Sequence, residues 1–117
     1  MYNALLFLKQ QLVDNSTITN EVPAANIYPL LAASKVDKTN FIVFTVRRDS
    51  PFTKDNVAKY NAEVYVFADN ILKAAQVSDI VEEQLTNHKR IYGQSASIEI
   101  TEDYEDAFVK LIFTFKI

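Results

Sequence analysis

The stretch NAEVYVFADNILKAAQVSDIVEEQL, residues 61–85, changes its hydrophobic period in mid-course. Up to Ala68 it alternates as a strand does, with Ala62, Val64, Val66 and Ala68 on one face and Asn61, Glu63, Tyr65 and Phe67 on the other. Beyond Asp69 the apolar residues Ile71, Ala74, Ala75, Val81 and Leu85 recur along a helical stripe, with Ser78 among them. A strand that runs straight into a helix must lay that helix back over its own sheet, so this segment alone points to a mixed α and β fold. Such a junction is also where many enzymes hold a phosphate or a nucleophile. A phosphate turn needs glycines, so that backbone amides can close on the anion, and none is present here. The turn carries Asp69 instead, whose carboxylate repels phosphate. Asp69 or Asn70 reads as the helix cap, and the joint as structural.

The rest of the chain fits around this unit. From Tyr2 to Val13, Leu5, Leu6, Leu8, Leu12 and Val13 fall at helical spacings, and Asp14, Asn15 and Ser16 end the helix. Asn26-Ile27-Tyr28-Pro29 is a short extended piece that Pro29 confines to an edge or a strand end. FIVFTV, residues 41–46, reads as a central strand, and RRDSPFTKDNV, residues 47–57, as a returning loop. Gly93 is the only glycine and is placed where the chain leaves the second helix. Ala96, Ile98 and Ile100 alternate with polar residues before the acidic connection TEDYED, and a last strand alternates from Ala107 to Ile117. The expected class is α+β: a mostly antiparallel sheet with two main helices packed on it, in the order α-β-β-β-α-β-β, as one domain over residues 1–117.

Composition removes several kinds of chemistry. The chain has no cysteine and one histidine, His88. Disulfides, thiolate catalysis, iron–sulfur clusters and a multi-histidine metal site within one chain are therefore excluded. No apolar run reaches the length of a membrane span, and the opening residues lack a signal-peptide pattern, so a soluble protein without such a leader is expected. Net charge is −3, unevenly spread: residues 1–60 carry seven basic and five acidic groups, residues 61–117 five and ten. Strong, specific nucleic-acid binding is not expected from that balance. The two signs on one chain suit subunits that meet head to tail.

Few residues are candidates for function. Arg47 and Arg48, with Phe52 and Lys54 in the same excursion, read three ways: a solvated loop, an intersubunit contact, or an anion clamp. Glu102, Asp103, Glu105 and Asp106, with Glu99 nearby, form an acidic cluster. It lacks the glycine and ligand spacing of a calcium loop, so a solvated turn or an electrostatic docking surface is expected. His88 reads as a helix-terminal surface residue. No cofactor, metal site or catalytic constellation is expected, and the chain is read as a non-enzyme.

The order of elements resembles the phage tail-completion family, the tail-terminator or head–tail joining proteins. The likeness is carried by ALLFLKQQL, then NIYPLLA, then FIVFTV, then EVYVFADNILKAAQVSDIVEEQL and finally SIEITEDYEDAFVKLIFTFKI, and it covers nearly the whole chain. It implies a virion subunit in the tail or neck, assembled in the cytoplasm of a bacterial host. Such subunits form a ring, commonly a hexamer, that caps the tail tube and meets a neck or connector protein. DNA can pass through the ring, and no membrane is involved. A closed ring needs two different patches on each subunit. On that expectation Arg47, Arg48 and Lys54, with Phe52 as a further interface candidate, contact an acidic surface of a neighbour or of the tube. Glu102, Asp103, Glu105 and Asp106 are candidates for that acidic surface, or for a lumen that lets DNA slide without sticking. The short segment 34–40 and the excursion after Val46 leave open a neighbouring neck position. The alternative function is a small α+β module that binds a ligand or peptide on the Tyr65/Phe67 face.

Overall fold

The computed structural model describes residues 1–29, 40–50, 59–100 and 107–116. They form α1 (Tyr2–Val13), α2 (Ser16–Thr19), a 3-10 turn (Ala24–Asn26), β1 (Ile27–Pro29), β2 (Phe41–Ser50), β3 (Lys59–Phe67), α3 (Ile71–Thr86), β4 (Ile91–Ile100) and β5 (Ala107–Lys116). The five strands make one sheet in the order β1-β2-β3-β5-β4. Only β1 and β2 are parallel, and every other pair is antiparallel. The α+β class and the order of the main elements are as the sequence indicates.

The period-2 pattern of β3 becomes two faces of opposite character. Tyr60, Ala62, Val64 and Val66 are buried, and the residues between them are half-exposed. The register places Ile42, Val66 and Val109 in one row across the sheet, Phe44, Val64 and Leu111 in the next, and Ala62 with Phe113 in the one after. The helices cover this face. Ala74, Val77, Ser78, Val81 and Leu85 are the buried stripe of α3, and Ala4, Leu8 and Leu12 that of α1. Burying a Val or Leu side chain stabilises by about 1.5–3 kcal/mol, so Val77, Val81 and Leu85 hold α3 on the sheet far more firmly than its helix propensity could. Ser78 has no water available, and its hydroxyl donates to the Ala75 carbonyl at 2.7 Å.

Caps and turns follow the local chemistry. Asn70, not Asp69, caps α3: it is extended (φ −147°, ψ 165°) and its side-chain oxygen accepts the Lys73 amide at 2.9 Å. Asn15 caps α2 through the Thr17 and Ile18 amides, and its amide group donates to Gln84 at 3.1 Å. Asn40 donates to the Glu21 carbonyl and Asn26 donates to the Asn40 carbonyl, tying the N-terminal segment to the start of β2.

Two expectations are corrected. Residues Arg47 to Ser50 belong to β2 and are not loop: β3 offers ladder partners out to Lys59, and pairing overrides the turn-like composition of RRDS. A register shift between Arg48 and Ser50 absorbs the extra residue. The 41–46 segment lies inside the sheet, as its composition indicates, flanked by β1 and β3. Gly93 does not release α3, which ends at Thr86 with Asn87 as its C-cap. It lies inside β4, at another register shift, where an added Cβ would stand 3.4 Å from Thr86 Cγ2. Strand β4 accordingly begins at Ile91, before the alternating run.

Candidate functional site

The face of the sheet that the helices leave uncovered is ordered in rows. Phe41, Phe67 and Phe108 form one row, with Glu99 at its outer end. Their rings stack in sequence, Phe41 on Phe67 at 4.5 Å and Phe67 on Phe108 at 4.7 Å between centroids. Tyr65 meets Phe108 edge-on at 5.8 Å. Stacked rings on neighbouring strands stabilise the sheet itself, each pair by about 0.5–1.5 kcal/mol beyond burial. This is the face on which the ligand-binding alternative depends, and its aromatic groups are half-buried against one another.

The next rows are polar. The Tyr65 hydroxyl donates to the Glu63 carboxylate, and Lys110 Nζ lies 3.8 Å from the same carboxylate. Burial first, then the bond to Glu63 and the negative charges of Glu63 and Glu99, push the Tyr65 phenol up from 10.0 to about 12. Thr45, Arg47, Asn61, Glu63 and Ile112 line a shallow hollow of about 310 Å³ beside this group. Thr114 donates to Asn61 at 3.0 Å at its rim. Among the described residues no cluster of three His, Cys, Asp or Glu side chains could hold a metal ion. None of the helices there is long and apolar enough to cross a membrane.

Arg47 and Arg48 are exposed on the second half of β2. Arg47 shares a row with Asn61, Thr114 and Tyr92 on the open face, and Arg48 one with Tyr60, Phe115 and Ile91. Lys59 and Lys116 pair one row further on, and Lys89 and Arg90 lead into β4 at the same end. The sheet thus gathers Arg47, Arg48, Lys59, Lys89, Arg90 and Lys116 at one end, four more cations than the expected patch contributed from these residues. Their positions in sequence are scattered, and only the strand register brings them together. Phe52 and Lys54 lie outside the described residues.

Glu102, Asp103, Glu105 and Asp106 also lie outside the described residues. The chain enters and leaves their connection at the row Ile100–Ala107, next to Glu99 and Phe108. From Phe108 to Phe115 is seven residues of β5, about 23 Å at the usual rise per residue. Ile100 and Ala107, which flank the acidic connection, therefore lie at the opposite end of the sheet from Arg47 and Arg48. His88 is half-buried, with its ring edge-on to Phe7 at 5.2 Å and its Nδ1 accepting the Arg90 amide at 3.1 Å. It orders the turn after α3.

No protein-family model matches the chain, and no curated protein does. Solved structures do match. One is a chain of the structure titled "Virion of native gene transfer agent (GTA) particle". Its TM-score is 0.73 at 14% identity, and the match covers 92% of this chain and 88% of the other. At that identity the likeness establishes the fold.

Proposed function

We propose that this chain is a structural subunit of a phage-like particle, one that closes into a ring at the head-proximal end of a tail tube and joins the tube to the neck. The observation that carries the reading is the near end-to-end likeness to a chain of a gene transfer agent virion. It agrees in kind with the resemblance read from the order of elements. The described side chains support a structural role, since those on the open face bind one another and frame only a shallow hollow.

In this reading the chain is not an enzyme and takes no cofactor. Its partners are further copies of itself, commonly six, the tail tube protein and a neck protein. Arg47 and Arg48 at one end of the sheet, with the acidic connection joined to the other at Ile100 and Ala107, would give such a ring a direction. A basic end on one subunit and an acidic end on the next meet as a head-to-tail contact, the kind that closes a ring.

Light scattering after size exclusion, with negative-stain images, tests this with the protein alone and with tail tubes. Rings are expected, free or seated on tube ends, and tubes are expected to stop lengthening when the protein is added. Arg48→Glu and Asp103→Arg are each expected to weaken the ring, and the double variant to restore it. Tubes that keep growing, and particles that never form rings in either condition, would sink the proposal. Rings indifferent to both charge reversals would remove the pairing of the two ends.

A further inference from the structure

The two margins of the sheet are protected to different degrees. On one side β1 is three residues long and ends in Pro29, and the adjoining half of β2 carries exposed Arg47 and Arg48. Short length, proline and charge are the usual means by which an edge strand is kept from pairing with another chain. On the other side β4 runs for ten residues, and β5 is its one partner among the described strands. Between Gly93 and Ile98 it has no proline and no charged residue. Tyr92 and Ile98 are 60% and 64% exposed, and Ser95, Ala96 and Ser97 are exposed as well. Backbone groups along such an edge are a ready template for an added strand.

The charges along β4 say which strand fits. Exposed Arg90 stands just before its first residue, and Glu99 just before its last. Laid antiparallel against its own copy, β4 brings Arg90 of each chain opposite Glu99 of the other, twice over by symmetry. The register shift between Gly93 and Ser95 reverses the alternation, which puts Tyr92, Ser95, Ser97 and Glu99 on the open face. The pairing that joins Arg90 to Glu99 then sets Tyr92 opposite Ser97 on the open face and Gly93 opposite Ala96 on the helix face. Gln94 falls opposite Ser95 in sequence at the two-fold axis, the pairs on either side of it include Gly93 with Ala96, and no like charges face one another.

We propose that β4 pairs with β4 of a second copy about a two-fold axis, so that two five-stranded sheets become one sheet of ten. This contact runs along the β4 edge, whereas the head-to-tail ring interface uses the ends of the sheet. The charged residues Arg90 and Glu99 stand where the edge meets those ends, and the pairing stands or falls without the ring. It is isologous, each copy offering the same edge.

The absence of cysteine makes the test direct. In Tyr92→Cys/Ser97→Cys the two thiols lie about 16 Å apart within one chain, too far for an internal disulfide. Mild oxidation is expected to give a covalent dimer of twice 13.3 kDa. Glu99→Arg and Arg90→Glu are each expected to weaken dimerisation about tenfold, and the double variant to restore it. Ile98→Lys is expected to leave a folded monomer by circular dichroism. Failure of the double-cysteine chain to cross-link, dimerisation of both charge variants as strong as that of the parent, or a parent chain of 13.3 kDa at millimolar concentration overturns the proposal. Rings are scored separately, by electron microscopy of Ile98→Lys, a residue outside both charged ends: rings formed there leave the ring reading intact whatever the fate of the dimer.

Discussion

Tyr65 concentrates what the open face does to a single side chain. Its ring lies against Phe108, its hydroxyl is committed to Glu63, and Glu99 adds further negative potential. Each of these opposes a phenolate, which is why the group is held near 12 and not at 10.0. The folded chain thus keeps the Tyr65 proton at a pH where the unfolded chain has lost it. The resulting stability is fully present below about pH 10 and declines as pH rises toward about 12. Absorbance titration of the phenolate is expected to show a step near pH 12 that Tyr65→Phe removes. A Tyr65 step at the ordinary 10.0 would refute this account of its surroundings. Ala62 shows the opposite case, a residue defined by lack of room. It is fully buried and paired with Phe113, where a larger side chain would force the sheet from the helices.

At the scale of elements, α3 depends on both of its ends. Four amides at a helix start have no partner inside the helix, and Asn70 supplies one acceptor for them. Asn70→Ala is expected to lower unfolding free energy by about 1 kcal/mol in urea titration, while Asp69→Ala, which removes no cap bond, is expected to change it little. Equal losses from the two would mean that charge near the helix dipole, and not the cap, matters here. The strands and helices themselves were legible because their hydrophobic period survives burial: Ala62 to Val66 alternate, and Ala74 to Leu85 recur by turns. The second half of β2 was illegible for a physical reason. Arg47 to Ser50 have no period and poor strand propensity, and they are extended because β3 supplies the ladder. Gly93 misled in the same way, since a lone glycine marks a turn as readily as a bulge or a tight approach to Thr86.

At the scale of the molecule, one apolar cluster joins α1, α2, α3 and all five strands, running from Ala4 through Ile18, Ile42 and Val77 to Phe115. With a shared core of this kind, no part can leave without exposing the rest. A single cooperative transition is expected in urea, superimposable by circular dichroism and tyrosine fluorescence. Two separated transitions would show that the N-terminal helices unfold on their own. The candidate surfaces were legible only in part at this scale. Arg47 and Arg48 were found from composition, but Lys59, Lys89, Arg90 and Lys116 join them only through the register of four strands. That β4 is outermost among the described strands had no signal at all, because which strand lies outermost is a property of the whole sheet.

The sheet order also governs how the chain can take shape while it is being made. β3, α3 and β4 leave the ribosome in succession, yet β3 and β4 are not neighbours: β5 lies between them and pairs with both along their lengths. Until β5 emerges, the nascent chain therefore holds two separate fragments of sheet with a gap one strand wide, and α3 has nothing to cover but one of them. Val109, Leu111, Phe113 and Phe115 arrive together in that strand and fill the gap in a single step. Of the five strands, β5 is thus the one that lets the sheet close.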